Sequence, residues 1–356
     1  MSKWHSYSLE DLAADSYAAI VDGPFGSNLK TTDYVESGIP VLQGNNITKD
    51  KFIWRDIRFI TPSKSRSLIR SAARIGDILT VKIGSVGYSA IVNHLENYQY
   101  AIIPANLIKS TFSNNKVVTK FVYYLLTSEF GKRKLRDLAG NTAQPALSLK
   151  NFKAIIFQYP SLPEQRKIAE ILTTVDNLIE QTEALIAKYQ AVKQGMMHDL
   201  FTRGVDKTGR LRPPRHEAPE LYKDSPLGWI PKEWEVVKVL DYTESITSGS
   251  RGWAQYYSEH GDVFIRIGNL TREHINFRLK DIQRVLFPHP TEGLRTSLEA
   301  DDILISITAD LGIVAVVPQK FPESYINQHI ALVRIRSNEI NNRYVGHFFA
   351  SNRGQN

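Results

Sequence analysis

The feature that most constrains this chain is a repeat whose two halves lie about 223 residues apart. Gly38-Ile39-Pro40-Val41-Leu42-Gln43-Gly44-Asn45-Asn46-Ile47 is answered by Gly261-Asp262-Val263-Phe264-Ile265-Arg266-Ile267-Gly268-Asn269-Leu270. Further on, Gly76-Asp77-Ile78-Leu79-Thr80-Val81-Lys82-Ile83 is answered by Asp301-Asp302-Ile303-Leu304-Ile305-Ser306-Ile307-Thr308. Phe121-Val122-Tyr123-Tyr124-Leu125-Leu126-Thr127-Ser128 then pairs with Tyr344-Val345-Gly346-His347-Phe348-Phe349-Ala350-Ser351. Three matches in one order at nearly one spacing describe duplicated domains. A period this long is not that of a solenoid.

Each copy carries short Val/Ile-rich runs bounded by Gly, Asp, Asn and Pro, such as 78–83, 303–307, 313–317 and 330–335. These are strand signals separated by turns. An aromatic and aliphatic helix follows, over 120–138 in the first copy. Strands and helices are segregated rather than alternating, so the expected class is α+β, built from two mixed α/β modules.

Between the copies the period changes. Ser161 is placed to cap a helix with Pro163 and Glu164 in its first turn. Seam residues then recur at spacings of three and four, Thr182 filling one place among the apolar ones: Ile168, Ile171, Leu172, Val175, Leu178, Ile179, Thr182, Leu185, Ile186, Tyr189, Val192 and Met196. A helix of roughly 35 residues would be about 50 Å long. One apolar seam on such a rod calls for a partner helix in coiled-coil packing. Residues 202–232 hold Pro213, Pro214, Pro219, Pro226 and Pro231 with Arg210, Arg212 and Arg215, and read as a semi-extended linker. The expected division is a module over 1–159, a spacer helix over 160–201, the linker over 202–232 and a second module over 233–356.

The 356 residues are 42% hydrophobic and 23% charged, which indicates globular domains. A formal charge of +7 spread along the chain points towards nucleic acid as a partner, because neutralising phosphates releases counterions. With no cysteine there are no disulfides, thiolate nucleophiles or Cys-type zinc sites, which fits a cytoplasmic protein. The start lacks a signal-peptide core, and polar residues interrupt every apolar run before membrane-spanning length.

The order of these parts resembles the specificity subunit of type I restriction-modification systems. Besides the first repeat block and Gly76-Asp77-Ile78-Leu79, three runs carry the resemblance. They are Gly140-Asn141-Thr142-Ala143-Gln144-Pro145-Ala146-Leu147-Ser148, Leu162-Pro163-Glu164-Gln165-Arg166-Lys167-Ile168-Ala169 and Gly228-Trp229-Ile230-Pro231-Lys232-Glu233-Trp234. The resemblance spans essentially the whole chain; the order of the motifs is specific, while no single motif is. It implies two target-recognition domains, each reading half of a split site in double-stranded DNA, separated by a long helix. It further implies that two methyltransferase (M) subunits dock on the long helices and that a restriction (R) subunit translocates and cuts. S-adenosylmethionine, ATP and Mg would belong to those partners, leaving this chain non-catalytic, with no cofactor and no metal.

The chemistry absent from the sequence agrees with that expectation. The internal Pro-Pro pair, Pro213-Pro214, lies between arginines rather than in an adenine-methyltransferase motif. Gly84-Ser85-Val86-Gly87 is too short for a cofactor loop, and there is no G-x-x-x-x-G-K-[ST] run. The nine histidines are scattered, with no H-E-x-x-H. Glu164 and Lys167 read as a solvated helix face rather than part of a nuclease motif.

Base readout requires Arg, Lys, Asn, Gln, Ser or Thr at groove edges. The candidates in the first domain are Gln43, Asn45, Asn46, Lys82, Ser85, Asn141, Thr142 and Gln144. In the second they are Arg266, Asn269, Thr308 and Asp310. Arg251, Lys30 and Arg66 are candidate phosphate contacts. Asn and Gly in these loops also serve as turn formers.

Carrying the repeat offset past Leu200 predicts an intact form of roughly 423 residues. The expectation is therefore that the second copy is cut short and that the first long helix takes a substitute partner, a second copy of the chain or a methyltransferase subunit. The competing readings are a decoy scaffold that binds methyltransferase subunits without reading a full site, and a stand-alone enzyme of unusual type.

Overall fold

A computed structural model describes residues 4–140, 145–286 and 293–355. The chain divides into two compact units, Met1–Glu183 and Ala184–Asn356.

The centre of the first unit is an antiparallel sheet of β1 (Ile20–Asp22), β2 (Ile78–Val81), β3 (Ser89–Ile91) and β4 (Leu107–Ser110), in the order β1-β4-β2-β3. Nearly every residue of these strands is buried, which explains why they read as continuous apolar runs rather than as alternating ones. A second sheet of five short strands contains Ile39–Val41 and Ala101–Ile102, paired in parallel through Val41 and Ile102. Phe121, Val122 and Leu126 of α1 (Thr119–Thr127) and Leu135 and Ala139 of α2 (Glu129–Ala139) enter the core beside Ile78 and Ile108. One helix over 120–138 was expected, and the structure has two. The break is Ser128, whose hydroxyl caps α2 by accepting from the Gly131 amide. A side chain at Gly131 would lie within 1.9 Å of the Leu125 carbonyl, so only glycine permits this tight corner.

The second unit repeats the plan. β5 (Thr243–Ser248), β6 (Ile303–Ser306), β7 (Val314–Val316) and β8 (Ile330–Ile335) form a sheet in the order β5-β8-β6-β7, the same as in the first unit. A companion sheet again contains a parallel pair, Asp262–Ile265 with Ser324–Ile326. α4 (Asn342–Phe349) packs on this core through Val345 and Phe349 and stands where α1 stands in the first copy.

α3 runs from Leu162 to Thr202, 41 residues, longer than the seam alone implied. Its start is pinned to the first unit by the buried Gln165. That side chain donates to the Pro160 carbonyl (2.9 Å) and accepts from the Val118 amide (2.9 Å). Tyr124 of α1 adds hydrogen bonds to Thr173 (3.2 Å) and Asp176 (2.7 Å). Beyond these contacts the seam is open: Leu178, Ile179, Leu185, Ile186, Tyr189 and Met196 are each about half exposed.

Residues 202–232 were expected to be a semi-extended linker, but Thr202 ends α3 and the residues after it are knitted into a folded segment. Arg212 donates to the Arg203 carbonyl (3.0 Å) and to Glu233 (2.6 Å). The Tyr222 hydroxyl donates to the Pro213 carbonyl (2.6 Å), and Tyr222–Lys223 pairs with Ile230–Pro231. Prolines fix local φ, but buried Tyr222 and Ile230 supply an apolar reason to fold that the proline count concealed.

Candidate nucleic-acid interface

The candidate interface is built on two tips that recur in both units. The first tip is a single turn just after a short strand, Ile39–Val41 in one unit and Asp262–Ile265 in the other. In the first unit the Asn46 carboxamide accepts from the Gln43 amide (2.8 Å) and donates to the carbonyls of Ile53 (3.0 Å) and Arg55 (2.7 Å). In the second, Asn269 accepts from the Arg266 amide (3.0 Å) and donates to the Arg278 carbonyl (3.0 Å). The second tip is the hairpin turn of residues 82–88 between β2 and β3, matched by 307–313 between β6 and β7. Ile78 pairs with Ile91 in one hairpin and Ile303 with Val316 in the other. Positive φ falls at Gly84 and Gly87, and again at Ala309 and Gly312.

These contacts correct three of the sequence assignments. Asn46 and Asn269 are buried and their carboxamides shape the turns, so neither is available to a base edge. Lys82 is also buried. Its ammonium lies 2.6 Å from Asp22 and over the Phe25 ring at 4.4 Å. All three were selected by residue type, and in each the polar group is directed inward to satisfy the fold.

Other candidates face outward. Asn45 and Ser85 are exposed and share a cleft of about 540 Å³ with Thr48, Lys49 and Asn106. Ser85 also borders a cleft of about 500 Å³ lined by Tyr88, Glu129, Lys132 and Arg136. Gln43, by contrast, is half-buried, and its Nε2 is enclosed with no hydrogen-bond partner among the described residues. Asn141, Thr142 and Gln144 lie outside the described residues. Lys30 and Arg66 are exposed.

In the second unit Arg266 is half-buried, with one guanidinium nitrogen 3.4 Å from the Asp281 carbonyl. Thr308 is exposed and bonded to His329 Nδ1 at 2.5 Å. Asp310 is exposed and paired with Arg272, whose guanidinium it holds above its ordinary pKa. Arg251 is exposed.

Sequence reasoning missed Lys132 and Arg136, because an amphipathic helix gives no sign that its charged face borders a loop. Among the described residues no group of three His, Asp or Glu side chains could hold a metal ion, and no helix is long and apolar enough to cross a membrane.

The comparisons agree with this layout. The family described as the type I restriction modification DNA specificity domain matches residues 1–189. A putative type I restriction enzyme MjaX specificity subunit of Methanocaldococcus jannaschii is 26% identical over 322 residues, covering 88% of this chain and 69% of that protein. The MjaVIII specificity subunit of the same organism is 27% identical over 195 residues, covering 54% of this chain and 46% of that protein. In fold, the chain is similar to the crystal structure of the type I restriction-modification S subunit from M. genitalium. The TM-score is 0.55 at 14% identity, over 99% of this chain and 78% of the other. With its α+β modules, repeated tips and long helix, this chain belongs to the type I restriction-modification DNA specificity family.

Proposed function

We propose that this chain is a specificity subunit that recognises the sequence of a bipartite double-stranded DNA site and does no catalysis itself. The observation that carries the reading is the recurrence of one two-tip scaffold with different residues at matched tip positions in each copy. At the first tip, Asn45 in the first copy stands where the second has Gly268, and half-buried Gln43 stands where it has half-buried Arg266. A constant frame with changed polar edges is what two half-sites of different sequence require. The phosphate-contacting role falls to Lys30, Arg66 and Arg251, and the net charge of +7 supports it.

The exposed seam of α3 is the surface offered to methyltransferase subunits, with self-association through the same helix as its competitor. S-adenosylmethionine, ATP and Mg belong to the methyltransferase and restriction subunits, and the assembly works in the cytoplasm. The test is enrichment from a duplex pool randomised in sequence, using the chain together with its methyltransferase subunits. A split consensus is expected. Assembly with those subunits but no consensus would favour the decoy scaffold. Methyl transfer by the chain alone would overturn both readings.

A further inference from the structure

In each unit one charged side chain just beyond the Asn turn joins the two tips, but its sign differs between copies. In the first unit it is Asp50, at the turn of the hairpin formed by Ile47–Thr48 and Lys51–Phe52. Its Oδ1 accepts from the Ser89 amide (3.0 Å), where β3 leaves the second tip, and its other oxygen pairs with Lys132 of α2. Its carbonyl accepts from the Tyr123 hydroxyl (2.9 Å). The Lys132 ammonium also lies over Tyr88 of the second tip, 5.4 Å from the ring centre. In the second unit the joining residue is Arg272. Its guanidinium donates to the Asp310 carboxylate and to the Leu311 carbonyl (2.6 Å), both on the second tip.

We infer that Asp50 and Arg272 are positioning residues that lock the two tips of each domain into one reading surface, with Lys132 and Asp310 held back by them from DNA. The inference rests on the DNA-reading assignment for its binding arm and on the geometry alone for its exchange arm. Asp50 is mostly covered, whereas the Arg272–Asp310 pair is largely exposed and adds little to stability. Stability is therefore the wrong readout, and the signs of the charges give a better one. Removing the Asp50 charge frees a cation at the cleft beside Ser85. Removing Arg272 bares an anion on the tip.

The test measures binding of the full chain to a random-sequence duplex as salt is varied, with amide exchange measured in parallel. D50N is expected to tighten non-specific binding and steepen the salt slope by up to about 0.9, the contribution of one phosphate contact. R272Q is expected to weaken binding. The D50N gain is expected to vanish in a K132Q background. Asp50→Ala is expected to speed exchange at the Ser89 amide, and R272Q at the Gly312 and Ile313 amides.

Shifts of D50N and R272Q in the same direction would overturn the inference, as would a D50N gain that survives K132Q. If the unaltered chain bound no DNA, the reading assignment would fail and the exchange arm would still decide the clamp. Exchange unchanged in both variants would overturn it.

Discussion

Lys82 and Asp22 form an ion pair of 2.6 Å in which both side chains are nearly out of contact with water. A charge pair so placed is expensive to break, because the surviving partner stays buried and unpaired. Lys82→Met should destabilise the first domain by about 3–5 kcal/mol. Denaturant unfolding measures it. A loss of DNA affinity at unchanged stability would instead return Lys82 to the reading surface.

Asn46 and Asn269 should behave as structural residues too. Asn46→Ala leaves the Gln43 amide and the Ile53 and Arg55 carbonyls short of a partner, and should cost about 2–4 kcal/mol. Asn269→Ala should cost less, since fewer bonds are lost. Asn45→Ala, at an exposed neighbouring position, should leave the melting temperature nearly unchanged and alter base preference instead.

The hairpin tips offer a backbone test. Ala309 holds φ +58° where the first copy has Gly84 at +91°. Left-handed backbone costs alanine about 1–2 kcal/mol, partly offset by the greater chain entropy of glycine. Ala309→Gly should therefore stabilise the second domain by about 0.5–1 kcal/mol, visible as a higher denaturation midpoint.

His347 supplies a pH dependence. Burial, followed by the nearby Arg343 and Lys193, holds its pKa below the usual histidine value. The unfolded chain therefore takes up the proton first. The stability from neutral His347 is present above the ordinary pKa and is lost as pH falls through and below it. His347→Gln should flatten that acid-side decline in thermal melts; an unchanged slope would contradict the assignment.

The seam of α3 separates stability from assembly. Leu178 and Ile186 are about half exposed, so a Leu178→Glu/Ile186→Glu chain should melt within about 1 kcal/mol of the original. Its capture of methyltransferase subunits in size-exclusion experiments should be lost. Retained capture would place that interface elsewhere.

Much of the architecture is legible in the sequence because duplication writes each element twice. The blocks at Gly38 and Gly261 locate the Asn turns. The buried runs at Ile78 and Ile303 locate the hairpins. The α3 seam is legible because its period is helical from Ile168 to Met196, about eight turns. The site is less legible. Asn46, Asn269 and Lys82 have the residue types of base readers, yet whether such a group faces a groove or its own backbone depends on a few degrees of turn geometry. Lys132 and Arg272 reach the tips from other elements, through contacts that residue spacing does not encode. Ser128 could not be read as a break because α1 and α2 share one apolar pattern across it.

The central claim is that two domains of this chain read two half-sites at a fixed separation. The most direct measurement is binding of the assembled chain to an enriched duplex and to the same duplex with its non-contacted centre altered by one base pair, at fixed salt. The account predicts that the altered duplex falls to the affinity of random DNA while both half-sites stay intact. Equal binding to both duplexes would contradict it.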